Sequence, residues 1–255
     1  MSSEFSRKPA AGADSVAAHP AAATGPASAE LRVFRLAVLA SGNGSNLQAI
    51  IDRLHGRPLD RSMVAAARPA VPPVIEVVLV VSDVPEAKAL ERARLAGIGT
   101  AVFPNEAYAT REEHDLAMAE AIRESGADLV VLAGYMRLVS AGFVQAFPYR
   151  IINLHPALLP AFPGTTSIKD ALQTGVKVTG VTVHFVDEGL DTGPIITQEP
   201  VFVEEGDTVD SLAARIHAVE HELLPATIGL IASGRVKPPL PGSRVVQVDW
   251  SDGAR

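Results

Sequence analysis

Three side chains in this sequence have the types and spacing for acyl-type transfer: Asn153, His155 and Asp191. Asn153 and His155 sit two apart in the run Ile151-Ile-Asn-Leu-His-Pro-Ala-Leu-Leu-Pro160. That run reads as a short buried strand stopped by proline. Residues two apart in a strand point to one face, so the amide and the imidazole should converge. Pro156 and Pro160 stiffen the exit and remove two backbone donors. Asp191 lies in the polar turn Asp187-Glu-Gly-Leu-Asp-Thr-Gly-Pro194. An amide and a protonated imidazole can hold a developing oxyanion, and a carboxylate can keep that imidazole charged and oriented. Taken singly, His155 reads as a satisfied core histidine and Asp191 as a turn residue. The functional reading depends on their meeting.

A second group is the turn Ser41-Gly-Asn-Gly-Ser-Asn46 between an apolar run and a helical one. Free backbone N–H groups and a positive helix end make a phosphate cradle there. A dinucleotide fingerprint wants a third Gly near Leu47, and a P-loop wants Gly-Lys-Ser/Thr; both are absent. A single phosphate is the better expectation. The bland reading is a tight turn with Ser45 or Asn46 capping the helix. The stretch His217-Ala-Val-Glu-His221 matches the HxxEH pattern of one zinc protease family, but no third-ligand motif accompanies it. It reads as a polar helix face, or as His217 and Glu220, one turn apart, holding a small substrate; no metal is expected. Arg111 and Arg137 are isolated cations near strand ends, each either solvated or set to meet an anionic ligand.

The elements that must position these groups alternate strand and helix. Leu36–Ala40, Val74–Ser82, Thr100–Phe103 and Leu129–Ala133 read as strands by their continuous apolar content. Helices are expected over Gln48–Leu54, Glu86–Ala96, Thr110–Ser125 and Ser140–Phe147, the third opened by Thr110 and Glu113 at capping-box spacing. Ile168–Thr174 reads as a further helix. Val178–Val186 and Ile195–Val203 are spaced as an antiparallel hairpin, with Thr182 and His184 alternating against Val181, Val183 and Phe185. Thr208–Ile231 is a long helix, expected to kink or break near Pro225. The tail after Gly234 is Pro-rich, with one edge strand at Arg244–Val248. This pattern implies a Rossmann-like, doubly wound, mostly parallel sheet with an antiparallel C-terminal hairpin. Ligands on such sheets bind beyond the carboxyl ends of the strands, where strand order reverses. The Gly42 loop, the Met136 loop and His155 all fall at such ends.

Three segments are expected: an Ala/Pro/Ser-rich disordered extension over 1–34, one α/β domain over 35–235, and a Pro-rich tail over 236–255. Gly56–Pro73 reads as a long surface connection. The 255 residues are 47% hydrophobic, enough for one large core, and the net charge of −7 disfavours broad nucleic-acid binding. No cysteine is present, which excludes disulfides, thiolate catalysis and thiolate zinc sites. No apolar run reaches the ~18 residues of a membrane span, and the start lacks a secretory pattern. A cytoplasmic protein is expected, with no membrane partner and with monomer and homodimer both open.

Together the segments SGNGSNLQAI (41–50), LAGYMRLVS (132–140), INLHPALLPAFPG (152–164) and HFVDEGLDTGPII (184–196) resemble the phosphoribosylglycinamide formyltransferases of purine synthesis. The resemblance spans about Leu36–Gly234, in the family's order. It implies a formyltransferase fold and transfer of a formyl group from 10-formyltetrahydrofolate to the amine of glycinamide ribonucleotide. By motif match, Asn153, His155 and Asp191 would be catalytic. Gly44, Ser45 and Asn46 would hold the ribonucleotide phosphate, with Glu220 and His217 on the same substrate. Met136, Arg137, Leu138 and Val139 would line the folate pocket with Asn153, Val186 and Asp187, and Arg111 would face the folate glutamate. No covalent enzyme intermediate or metal is implied. Two departures stand out: Thr165-Thr-Ser167 follow Gly164 where the family often has a histidine, and Gly56–Pro73 is longer than usual. Other readings are a formyltetrahydrofolate hydrolase, a sugar-nucleotide formyltransferase, a non-catalytic nucleotide- or folate-binding protein and, weakest, a nicotinamide dehydrogenase. A tRNA formyltransferase would add a basic C-terminal domain, for which the chain is expected to be too short.

Overall fold

The computed structural model describes residues 32–60 and 71–250. The expected extension therefore falls almost wholly outside the described residues, as does the middle of the Gly56–Pro73 connection. The first strand, β1 (Val33–Leu39), starts three residues before Leu36. Then follow α1 (Ser45–Arg53), β2 (Arg57–Pro58), β3 (Val74–Ser82), α2 (Lys88–Leu95), β4 (Gly99–Val102), α3 (Arg111–Glu124) and β5 (Leu129–Leu132). The chain continues through α4 (Ala141–Ala146), β6 (Ile151–His155), α5 (Ser167–Thr174), β7 (Val178–Phe185), β8 (Ile195–Phe202), α6 (Val209–Ala232), β9 (Val236–Lys237) and β10 (Gln247–Val248).

Among the described residues one sheet runs β2-β3-β1-β5-β6-β7-β8, with β4 also on β3. The β3, β4, β1, β5 and β6 pairings are parallel. β7 and β8 are antiparallel, as their spacing predicted. The chain leaves β1 first toward β3 and β4, then crosses to β5 on the other side. That reversal opens a crevice beyond the carboxyl ends of β1 and β5.

β1 shows why the sheet has two covered faces. Leu36 and Val38 join one apolar cluster with Leu47 and Ile50 of α1, Leu90 of α2 and Leu224 and Ile228 of α6. Ala37 and Leu39 join another with Met118 and Ile122 of α3 and Phe143 of α4. Alternate residues of one strand feed opposite layers, which is why the strand is apolar throughout.

Two expectations need correction, and a third is met in shorter form. Helix α6 runs unbroken through Pro225, because Leu224, Pro225 and Ile228 are all buried and that packing outweighs one lost backbone bond. Arg57–Pro58 is a short antiparallel edge strand on β3, not plain surface connection. The edge strand expected within Arg244–Val248 is present over Gln247–Val248 as β10: it pairs with β9, and Val236, Val246 and Val248 pack on the larger cluster.

Candidate active site

Beyond the carboxyl ends of β5 and β6 lies a cavity of about 190 Å³, walled by Met136–Val139, Asn153, His155, His184 and Val186–Asp191. Its floor is polar and buried. Asn153 pairs across the ladder with His184, and His155 with Thr182. Cross-strand partners share a face, so the alternation that put Thr182 and His184 together also puts His184 beside Asn153. His184 is the residue that the sequence reading placed in the strand but not in the site.

The four polar groups form one network. His184 donates Nδ1–H to the Phe185 carbonyl (2.8 Å), leaving Nε2 to accept from Asn153 Nδ2 at 3.2 Å. Burial pushes the His184 pKa down, in keeping with a neutral ring. Asn153 Nδ2 also donates to Asp191 Oδ1 at 3.3 Å. Asp191 Oδ2 accepts from the Gly164 N–H at 2.8 Å and stands 3.4 Å from His155 Nδ1. His155 Nε2 contacts the Phe162 carbonyl at 2.8 Å; a carbonyl only accepts, so the proton sits on Nε2. Asp191 holds a left-handed backbone, φ 52°, and so does Phe162, φ 54°. Such strain in non-glycine residues gathers where surrounding structure fixes a functional side chain.

The turn carrying Asp191 is built from its own residues. Asp187 Oδ1 accepts from the Gly189 N–H (3.1 Å) and the Thr192 hydroxyl (2.6 Å), so this carboxylate shapes the loop while also lining the cavity. Gly193 must be glycine: a Cβ there would lie 1.6 Å from the Phe185 carbonyl oxygen. Thr165 lines the cavity, whereas Thr166 precedes α5 and bonds Asp170 at 2.7 Å.

The second group sits at the start of α1. The N-cap is Gly44 in the left-handed region, φ 72°, and no side chain caps the helix; neither Ser45 nor Asn46 does so. No acidic residue occupies the first turn. The orphan N–H groups and the positive end of the helix dipole are therefore left for a ligand. Asn46 Nδ2 donates to Glu220 Oε2 at 2.9 Å, while Asn46 Oδ1 is buried with no protein partner. Burial raises the Glu220 pKa, and exposed His217 opposes that shift. His217 and Glu220 thus stand together, as their one-turn spacing predicted.

The two groups are tied together. Ser41 donates its N–H to the Gly134 carbonyl (3.1 Å) and its hydroxyl to Asp83 (2.6 Å), while accepting from the Met136 N–H (3.0 Å). Asp83 was missed because nothing local marks it. At its far end the Met136 loop is held by buried Asp115, which accepts from the Ser140 N–H at 2.5 Å and lies 2.9 Å from His114 Nδ1. Arg111 is the predicted residue that does not reach the cavity: it opens α3, half exposed, 3.6 Å from Glu112. Helix geometry aims it at solvent, where a neighbouring carboxylate competes for it.

The chain matches the family described as formyl transferase over residues 34–228. It belongs to that family. Among curated members, the phosphoribosylglycinamide formyltransferase of Bacillus subtilis is 42% identical over 194 residues, 76% of this chain and 92% of that protein. The Escherichia coli enzyme of the same name is 40% identical over 222 residues, 87% of this chain and 95% of that protein. The crystal structure of glycinamide ribonucleotide transformylase 1 from Symbiobacterium toebii superposes with a TM-score of 0.75 at 45% identity, covering 85% of this chain and 94% of that one. For a member of this formyl transferase family, the fold agrees with the sequence reading in its mostly parallel sheet and antiparallel hairpin. Among the described residues no helix is long and apolar enough to cross a membrane. Nor do three His, Cys, Asp or Glu side chains gather as a metal site there.

Proposed function

We propose that this chain transfers the formyl group of 10-formyltetrahydrofolate to the primary amine of glycinamide ribonucleotide, in purine synthesis. The observation that carries the reading is the junction of two unlike subsites at one sheet edge. An uncapped helix end suited to a single phosphate is bonded through Ser41 to the loop of an apolar cavity floored by Asn153, His155, His184 and Asp191. A ribonucleotide phosphate fits the first and a pterin ring fits the second. Glu220 and the open acceptor of Asn46 suit ribose hydroxyls or the amine between them. Arg137 and Asp187 are the polar wall of the folate cavity; Arg111, outside it, keeps a role only toward the glutamate tail.

The amine attacks the formyl carbon, and a tetrahedral intermediate forms. Asn153 holds its two acceptors at 3.2 and 3.3 Å, the long end of the hydrogen-bond range. Turning one N–H onto the developing oxyanion therefore costs little. A proton on His155 Nδ1 converts the 3.4 Å approach to Asp191 into a charge-assisted bond, so the pair can hold the imidazolium that proton transfer creates. The proton lost by the amine passes through this pair to the folate N10, whose bond to the formyl carbon breaks as tetrahydrofolate leaves. His184, neutral by burial, fixes the Asn153 amide.

The test is a formyl-transfer assay following tetrahydrofolate release, with and without the ribonucleotide. Release that requires the ribonucleotide and is lost in Asp191→Asn supports the assignment. Release without the ribonucleotide identifies a hydrolase instead, and no release in the unaltered protein sinks the enzyme reading.

A further inference from the structure

At the α1 amide end, the proposed phosphate subsite, no side chain caps the helix to fix the loop before it. Gly44 supplies no side chain, and no cap bond is made. The shape comes from α2. The Ala89 N–H donates to the Gly42 carbonyl at 3.1 Å. Ala89 also packs so closely that a Cβ on Gly44 would lie 2.8 Å from its Cα. One turn further along α2, half-buried Arg92 closes the arrangement. Its Nε donates to the Asn43 carbonyl (2.8 Å), Nη2 to the Asn43 side-chain oxygen (2.8 Å) and Nη1 to Gln48 Oε1 (3.0 Å). One planar guanidinium thus grips both the loop and the first turn of α1. It also brings a positive charge to a helix end whose first turn is free of acid.

We propose that Arg92 is a positioning residue for the phosphomonoester of the ribonucleotide. It sets the backbone of residues 42–44 through Asn43 and Gln48, so that the α1 amides converge on one anion. The inference rests on the reading of the α1 end as the phosphate subsite. Three donors in a fixed fork are what the geometry uses, and a lysine ammonium does not reproduce them.

Steady-state kinetics would be run on the full chain for Arg92→Lys, Arg92→Met and Gly44→Ala, with inorganic phosphate as a probe competitor against the ribonucleotide. Losing these bonds is expected to raise the ribonucleotide KM about tenfold in both Arg92 variants. Phosphate inhibition should weaken by the same factor, while folate KM and kcat hold within about twofold. Arg92→Lys keeps the charge and the bulk, so it carries the comparison if Arg92→Met does not fold. Arg92→Lys at wild-type values overturns the proposal, since charge alone would then suffice. Parallel losses in both KM values and kcat overturn it too, as a general loss of structure. A raised ribonucleotide KM in Gly44→Ala with none in either Arg92 variant defeats the Arg92 proposal alone. If Gly44→Ala leaves that KM unchanged and phosphate does not compete, the phosphate reading fails, and the role of Arg92 with it.

Discussion

The two ends of the cleft are built from different materials. The end proposed to take the phosphate is backbone: the orphan amides of α1, a left-handed Gly44 and no capping side chain. The chemical end is side chain: Asn153, His155, His184 and Asp191 in one buried network over the β6–β7 ladder. Backbone amides keep their geometry and their dipole at every pH and cannot carry a proton, so they suit binding. Imidazole and carboxylate change charge within reach of neutral pH, so they suit transfer. The other helix starts sharpen the contrast. Thr110 and Thr208 cap α3 and α6 with their side chains, and acidic residues fill both first turns. Helices α2 and α5 also lack a side-chain cap, but each carries an acidic residue in its first turn, Glu91 and Asp170; α1 has neither.

Substitutions should therefore split cleanly between the two ends. The largest effect is expected for His155→Ala, where loss of the proton-handling group lowers kcat by about 10²- to 10⁴-fold with little change in ribonucleotide KM. A variant with normal kcat and raised KM would erase the distinction. Next comes Gly44→Ala, which meets Ala89 and a φ of 72°. Left-handed strain of about 1–2 kcal/mol plus that clash should raise the ribonucleotide KM roughly tenfold or more, with kcat held. Unaltered binding by isothermal titration would count against the backbone cradle.

The pH response distinguishes the ends further. Burial lowers the His184 pKa from its ordinary 6.5. Its contribution to stability is full above that unfolded value and is lost as pH falls through the lower folded one. Burial raises Glu220 from 4.5. Its contribution is full below 4.5 and lost as pH rises through the folded value. Glu220→Gln should thus unfold at higher urea than the parent at pH 7.5, with the advantage shrinking toward acid. The deficit of His184→Asn should shrink as pH drops below 6.5. Parallel urea curves at all pH values would refute both. The smallest effect belongs to Thr208→Ala: about 1 kcal/mol of stability by denaturant titration, with kinetics unchanged.

Much of the chemical end was legible because its signals are local. Asn153 and His155 share a face by strand periodicity alone, and the turn residues around Asp191 announce an exposed corner. Gly42 and Gly44 between strand and helix point by the same logic to the proposed anion site. His184 was half legible: its alternation was visible, its neighbour was not. The bland alternative, Ser45 or Asn46 capping α1, is not met: the N-cap is a left-handed Gly44 with no side-chain cap.

What the sequence determined by itself was the periodic and the local: the alternating elements, the hairpin, the two-residue spacing of amide and imidazole, the glycine turn before α1. Tertiary structure alone decided which distant groups meet. Strand order brought the β1, β5 and β6 ends together, so that Ser41 reaches Met136. Packing of α2 on α1 set Arg92 against Asn43. The pairing of β6 with β7 gave Asn153 its histidine. Arg111, expected near a strand end to meet an anion, instead stands half exposed at the start of α3, outside the cavity. Periodicity fixes which way a side chain faces along its own element, but what it faces depends on neighbours far along the chain, and only the closed fold supplies them.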